Sequence, residues 1–268
     1  MENNNITDKI SILISSCDKF SDLWDTHIKL YKKYWKGPLW KTYLVTDKAT
    51  EKIYNGVDII VAKGNLDFPM RIKYALEYIK TDFILLTLDD YFLINNVKEK
   101  DLEYLVKRVE FEEIDYLMLY NRRRCNHRKY TNIEQLEKIN LLNKYAITLY
   151  PAIWNKKFLY NSVKDDMSPW LYEPSLTNYA RIMMANCQFC HAGAFEILDV
   201  VRKGKVLHKA NRYFIKNGIN IGNREIISRF TEIKLTVMDF ISWYMPRKVF
   251  VFCKKLLINW GVRFFSED

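Results

Sequence analysis

The first 120 residues alternate apolar, strand-length segments with helix-length ones, and this alternation constrains the fold more than any other feature. "KISILISSC" (9–17), "KTYLVTD" (41–47), "VDIIVAK" (57–63), "DFILLTL" (82–88) and "DYLMLY" (115–120) each have the length and β-type composition of a strand. Between the first two, Leu23, Trp24, Ile28, Tyr31, Tyr34 and Trp35 recur at helical spacing, and Gly37-Pro38 ends that helix. Asp67 and Pro69 open a second helix, whose apolar face (Met70, Tyr74, Leu76, Tyr78, Ile79) runs to Lys80. "DFILLTL" is apolar on both faces, as a strand covered from both sides must be. The order is therefore β-α-β-β-α-β-α-β. It predicts an α/β fold with a mostly parallel central sheet flanked by helices, and a ligand site at the C-terminal ends of the strands.

One such end carries two adjacent acids. In "TDFILLTLDDYFLINN" (81–96), Asp89 and Asp90 follow directly on the most apolar strand. Neighbouring carboxylates repel, and burying them is costly unless something compensates. A hard cation between them is one relief, because Mg2+ or Mn2+ takes one or two protein oxygens and fills its shell from water and phosphates. Sugar or ribose hydroxyls are another. A turn after the strand is the plainest reading of such a pair.

Beyond residue 120 the pattern loosens. "NRRRCNHRKY" (121–130) reads as a basic loop and "NIEQLEKIN" as a short polar helix. "KYAITLYPAIW" (144–154) reads as a strand leading into a turn. Ser168 and Pro169 are helix-start signals, but Pro174 interrupts, so a loop is expected with a helix from about Ser175. "CQFCHAGAFEIL" and "GKVLHK" read as short strands. No internal repeat or low-complexity linker divides the chain. The expected organisation is a catalytic domain over 1–230 (halves 1–120 and 121–230), followed by a helical tail over 231–268.

Charge is unevenly spread. The chain carries a net +10, and residues 201–268 hold 14 Lys/Arg against 5 Asp/Glu, leaving the first 200 residues near neutral. A basic tail on a near-neutral body points to an anionic surface, phospholipid or nucleic acid. The tail's longest apolar run, "VFVFC" (249–253), is far short of the ~20 residues that span a bilayer. Val249, Phe250, Phe252, Cys253, Leu256, Leu257, Trp260, Phe264 and Phe265 can nevertheless share a helical face, with Arg247, Lys248, Lys254, Lys255 and Arg263 interspersed. That is the composition of an interfacial helix. The expectation is contact with an anionic membrane through residues 231–265; no motif for reading nucleic acid is present, and none is expected to bind.

The N-terminus "MENNNITDKI" lacks the apolar core of a secretory signal. With five cysteines, an odd number, free thiols in a reducing compartment are expected. Cys187 and Cys190 have C-x-x-C spacing but fall in a strand, so neither a redox nor a metal role is expected of them. The 18 Tyr, 15 Phe and 7 Trp read most plainly as core and satellite packing; the sharper reading is that some rings line a sugar or base site or sit at a membrane interface.

"KISILISSCDKF", "LVTDK", "DFPMRIKYALEYIKTDFILLTLDDYFL" and "SPWLYE", in this order, resemble bacterial GT-A type glycosyltransferases of capsule, O-antigen and lipooligosaccharide assembly. The resemblance spans about residues 9–200, and "LDDYFL" after an Arg-bearing helix is its most specific part. It implies a GT-A-like Rossmann-type sandwich and a nucleotide-sugar donor, most simply a UDP-sugar. The acceptor it implies is a saccharide or lipid-linked saccharide, met at the cytoplasmic face of the membrane. It places Ser15, Ser16 and Asp18 near the uridine or ribose, Asp47 near the base, and Arg71 facing the donor. Asp89, Asp90 and Tyr91 come to the diphosphate, sugar or metal, with Mn2+ or Mg2+ as the cofactor. Tyr91 stands where the usual motif has its second acid. Either Asp90 takes over the metal or basic side chains share the neutralising, with Arg122, Arg123, Arg124 and Lys209 as candidates. His191 could complete a metal site with Asp89 and Asp90, although it and His208 read more simply as structural.

An inverting transfer needs a general base for the acceptor hydroxyl. Glu173 in "PWLYE" is the first candidate, with Trp170 and Tyr172 beside it to stack on sugar rings; Asp165 and Asp166 are rivals. A helix-start acid favoured by the dipole is the plainer reading of Glu173. Two other functions remain open. One is a metal-dependent nucleotidyltransferase, against which stands the absence of glycine in "SSCDKF". The other is a non-enzymatic basic protein that binds nucleic acid or membrane.

Overall fold

The computed structural model describes residues 6–35, 40–120, 133–143, 145–165, 167–191 and 194–244. The chain forms two compact units, Met1–Val200 with Ile219–Gly222 and Val201–Gly218 with Asn223–Asp268. The boundary expected near residue 230 falls inside the second unit.

The first unit is built in the anticipated order. β1 (Ile10–Ser15), α1 (Trp24–Tyr34), β2 (Thr42–Thr46), β3 (Val57–Val61), α2 (Phe68–Tyr78) and β4 (Phe83–Leu88) make up its first half. β5 (Tyr91–Leu93), α3 (Glu99–Phe111), β6 (Tyr116–Met118), β7 (Leu136–Lys138), β8 (Ala152–Asn155), α4 (Lys156–Ser162), α5 (Pro169–Ile182), β9 (Cys187–Cys190) and β10 (Ile197–Asp199) complete it. The second unit holds a hairpin of β11 (Val201–Arg202) and β12 (Lys205–Val206), then α6 (His208–Lys216) and α7 (Arg229–Tyr244).

An eight-stranded sheet runs β3-β2-β1-β4-β8-β6-β9-β7. All but β8 and β7 share one direction. This is the mostly parallel, helix-flanked α/β sandwich expected. Alternate side chains of each strand enter opposite layers. Ile12, Ile14, Leu85 and Ile153 pack with Trp24, Ile28 and Tyr31 of α1 and Leu102, Leu105 and Val109 of α3. Leu13, Ile84, Leu86 and Trp154 pack with Ile72 and Leu76 of α2, Leu159 of α4 and Leu176 of α5. A strand buried on both faces needs apolar residues at every position, which is why "FILLTL" carries no polar alternation.

Three local expectations are corrected. "NIEQLEKIN" is no helix: Leu136–Lys138 is an edge strand antiparallel to β9. Its Glu137 and Lys138 are exposed, as charges are on an edge that must not recruit another strand. "KYAITLY" is not a strand. The Ile147 N–H goes to Thr177 Oγ1 (3.1 Å) and that of Leu149 to Glu173 Oε1 (2.9 Å), so side chains of α5 take donors that a ladder would have used. The strand begins only at Ala152. Pro174 does not interrupt α5, which is continuous from Pro169. Proline there forfeits one helical bond, while Tyr172, Leu176, Thr177 and Ala180 hold the buried face in place.

The C-x-x-C pair is inert for a geometric reason. Cys187 and Cys190, three apart on one strand, belong to opposite layers of the core. Burial pushes the Cys187 thiol up to about 12.

Candidate functional site

β2 and β3 lie on one side of β1, whereas β4 lies on the other. The chain thus reverses its winding between β1 and β4, and their C-terminal ends open the crevice where such sheets take ligands. Ser15 and Ser16 stand at the end of β1, Asp89 and Asp90 at the end of β4, and the Asp89 N–H donates to the Ser15 carbonyl (3.3 Å).

Asp89 is buried, at 6% exposure. Its Oδ2 accepts a short hydrogen bond from the Ser16 hydroxyl. Ser16 Oγ in turn accepts the indole N–H of Trp24 at 2.6 Å. One helical turn along α1, His27 Nδ1 lies 3.1 Å from the Asp89 carbonyl oxygen. A carbonyl only accepts, so Nδ1 carries the proton and donates. Burial holds His27 neutral, depressing its pKa to about 4. Trp24 and His27 therefore grip the strand end from one helix face. Sequence reasoning missed both. The available signal was a histidine set into an otherwise apolar helical face, where a polar group must find a buried partner.

Asp47, just after β2, accepts the Asp18 N–H at 2.6 Å. Burial raises its pKa, but that bond, its own backbone amide, Arg71 and Thr46 outweigh burial and hold it below the usual carboxylate value. Asp18 binds Lys48 at 3.0 Å. Arg71 donates through Nε to the Ser16 carbonyl (3.2 Å) and through Nη1 to that of Leu66 (2.8 Å). Ser15, Ser16, Asp18, Asp47, Arg71 and Asp89 are thus gathered around the ends of β1, β2 and β4. Cys17 shares this cluster; burial and the Asp89 charge keep its thiol protonated, with Arg71 opposing them.

The other side of the mouth is aromatic and acidic. Tyr91 stacks on Tyr150, with centroids 5.3 Å apart and planes at 24°, and Tyr120 tilts against Tyr150 at 5.4 Å. Burial, then Tyr150, Asp90, Asp199 and Glu173, push the Tyr91 hydroxyl far up, so it stays a donor. Asp199 pairs with Tyr91 across the β5–β10 ladder, which sequence reasoning did not anticipate. Glu173, half-buried near the start of α5, is oriented by the Leu149 N–H.

Tyr172 is no sugar platform. It is fully buried, its hydroxyl 2.8 Å from Ser162 Oγ and its ring edge-on to Phe68. Trp170 is 69% exposed. The proposed ligand set of Asp89, Asp90 and His191 is not assembled: among the described residues no three His, Cys, Asp or Glu side chains converge to hold a metal. His191 instead lies 2.9 Å from Glu137 and against the Phe189 ring. The adjacent carboxylates Asp89 and Asp90 still suit a hard cation that draws its other ligands from water and phosphate. Arg122, Arg123, Arg124 and Asp166 lie outside the described residues. Lys209 is in α6 of the second unit, as is His208, whose N–H is taken by Glu232 at 2.6 Å.

A shallow cavity of about 350 Å³, lined by Leu76, Glu77, Lys156, Lys157, Tyr160 and Asn161, lies at the opposite strand ends. Its polar groups are largely satisfied locally. Tyr160 donates to Glu77 (3.1 Å) and Lys156 to the Ile79 carbonyl, so it presents no convergent chemistry.

No protein-family model matches the chain, and no curated protein matches it. Solved structures with a similar chain path include S. aureus TarS, at 16% identity and a TM-score of 0.48, over 70% of this chain and 36% of that one. A 1–349 fragment of TarS in complex with UDP-GlcNAc shares 14% identity at 0.49, over 74% and 60% of the two chains. The mannosyltransferase PcManGT of Pyrobaculum calidifontis, in complex with GDP-Man and Mn2+, shares 11% at 0.49, over 73% and 58%. This chain spans between about a third and three-fifths of those chains.

Proposed function

We propose that the chain is a glycosyltransferase that moves a sugar from a nucleotide-sugar donor, most simply a UDP-sugar, to a saccharide or lipid-linked saccharide acceptor. The observation that carries this reading is the acid pair Asp89–Asp90 at the winding reversal between β1 and β4, with Ser16, Asp18, Asp47 and Arg71 around it. In this reading Asp47 meets the base and Asp18 the ribose. Asp89, clamped by Ser16 and His27, fixes the turn from which Asp90 faces the diphosphate. Mg2+ or Mn2+ held by Asp90, with Asp89, would supply charge neutralisation for a diphosphate leaving group.

The acceptor enters on the Tyr91–Tyr150 side in this reading. Glu173 takes the proton from its hydroxyl, which makes the transfer inverting. The Leu149 N–H orients the Glu173 carboxylate that acts as base in this reading. The flanking rings exclude water and offer flat apolar faces to a sugar. Surface polysaccharide assembly at the inner face of a cell membrane is the setting that suits a lipid-linked acceptor and the basic residues 231–265. Among the described residues, no helix is long and apolar enough to cross a membrane.

The test is a panel of nucleotide sugars, incubated with Mn2+, Mg2+ or EDTA and assayed for released nucleotide. The reading expects slow hydrolysis of one donor, faster with metal. Release from nucleoside triphosphates alone, with every nucleotide sugar untouched, would contradict it.

A further inference from the structure

The second unit contains a surface that the nucleotide site does not use. Residues 201–218 include Arg202, Lys203, Lys205, Lys209, Arg212 and Lys216, and no Asp or Glu. α6 buries Ala210 and Phe214 and turns Lys209, Arg212 and Lys216 outward, around an Ile215 that is 71% exposed. α7 is fastened to the start of α6 by Glu232, whose Oε2 and Oε1 accept the N–H groups of His208 (2.6 Å) and Lys209 (3.4 Å). At about 100° per residue, Phe230, Ile233 and Val237 fall within about 60° of one another, away from Glu232. Because Glu232 faces α6, these three face solvent, at 78%, 62% and 48% exposure.

We infer that this unit docks on an anionic phospholipid surface through α6, which precedes the residues 231–265 to which composition assigned that role, together with the start of α7, which overlaps them. Charge complementarity selects the occupant. Lys205 is paired with Glu225 at 2.7 Å, but the outward Lys209, Arg212 and Lys216 of α6 suit phosphates, and an apolar stripe of Phe, Ile and Val in the same unit adds nothing to a contact with nucleic acid backbone. Lipid headgroups over acyl chains satisfy both at once. A second copy of the same basic unit would repel. The inference rests on the glycosyltransferase reading only for its purpose, which is to bring the site to a lipid-linked acceptor.

The experiment is flotation of the full chain with vesicles of phosphatidylcholine alone or with phosphatidylglycerol, at low and high salt. Wild type is expected on the anionic vesicles, less at high salt but not lost, and not on neutral ones. Lys209→Glu with Arg212→Glu should lower partitioning about tenfold or more, from the usual worth of each basic group at such a surface. Phe230→Ser with Ile233→Ser should remove the part that persists at high salt. These full-length variants keep residues 245–268, so a tail acting alone would leave both unchanged, and that result overturns the inference. Equal binding to neutral vesicles also overturns it, as does preference for RNA or DNA over vesicles, or self-association lost with Phe230. Circular dichroism checks that each variant is folded. Failure to release nucleotide from any sugar donor would sink the reading of the catalytic site and leave this result standing.

Discussion

The two sides of the strand mouth hold their acids differently. On the β1–β4 side, Asp89 is buried and gripped by side chains: Ser16 at its carboxylate, Trp24 behind Ser16, and His27 at its carbonyl. On the β8–α5 side, Glu173 is half-buried, and its Oε1 accepts one backbone N–H, that of Leu149. Asp89, whose carboxylate takes a buried hydroxyl and whose carbonyl takes a buried imidazole N–H, is built to stay put and to fix its neighbours. A half-buried carboxylate oriented by a backbone N–H is suited to proton transfer. The first arrangement suits a donor that must be held, the second an acceptor that must react.

Removing the proposed base should have the largest effect on turnover. Glu173→Gln keeps the size and an acceptor for Leu149, and should lower transfer about 10²–10⁴-fold, the usual worth of a general base. Nucleotide affinity should not change. A variant that loses nucleotide instead would move Glu173 to the donor side and end the contrast.

The donor side should respond in stability. His27 is neutral when folded, with its pKa depressed to about 4. Between its ordinary value near 6.5 and about 4, the unfolded chain binds a proton that the folded one refuses, so stability falls as pH falls through that window. The full swing is roughly 3 kcal/mol. Urea melts at pH 7 and pH 4.5 should show it for wild type, with a shallower dependence for His27→Gln. Equal slopes would contradict the clamp.

A smaller effect is expected at Ser16. Ser16→Ala leaves the Asp89 carboxylate and the Trp24 indole each short of a buried partner, costing about 1–3 kcal/mol. Donor KM should rise roughly tenfold on a comparable energy scale, with kcat less affected, and Ser16→Thr should restore most of it. A fall in stability with no change in KM would make the clamp purely structural.

Legibility in the sequence followed the same division. β1, β2 and β4 are buried on both faces, so their apolar runs stand out, and the acids at the end of β4 stand out against them. The β6–β9 half was harder. Its strands are three or four residues long, and the segment before β8 spends backbone donors on Thr177 and Glu173 rather than on a ladder. No periodicity records that exchange. Tyr172 was misread because an aromatic beside a candidate base looks like a sugar platform, whereas a helix turns the residue next to Glu173 into the core. Tyr91 and Asp199 meet through the β5–β10 ladder, a pairing over a hundred residues apart with no local signature, and Tyr150 stacks on Tyr91 from the segment before β8.

The most direct test is calorimetric titration of UDP into three proteins, with and without Mn2+. Wild type should bind, and bind more tightly with metal. Glu173→Gln should match it, and Asp90→Asn should lose the metal-dependent gain. If Asp90→Asn binds UDP and metal as wild type does, or if Glu173→Gln is the variant that fails, the assignment of donor and acceptor to the two sides of the mouth is wrong.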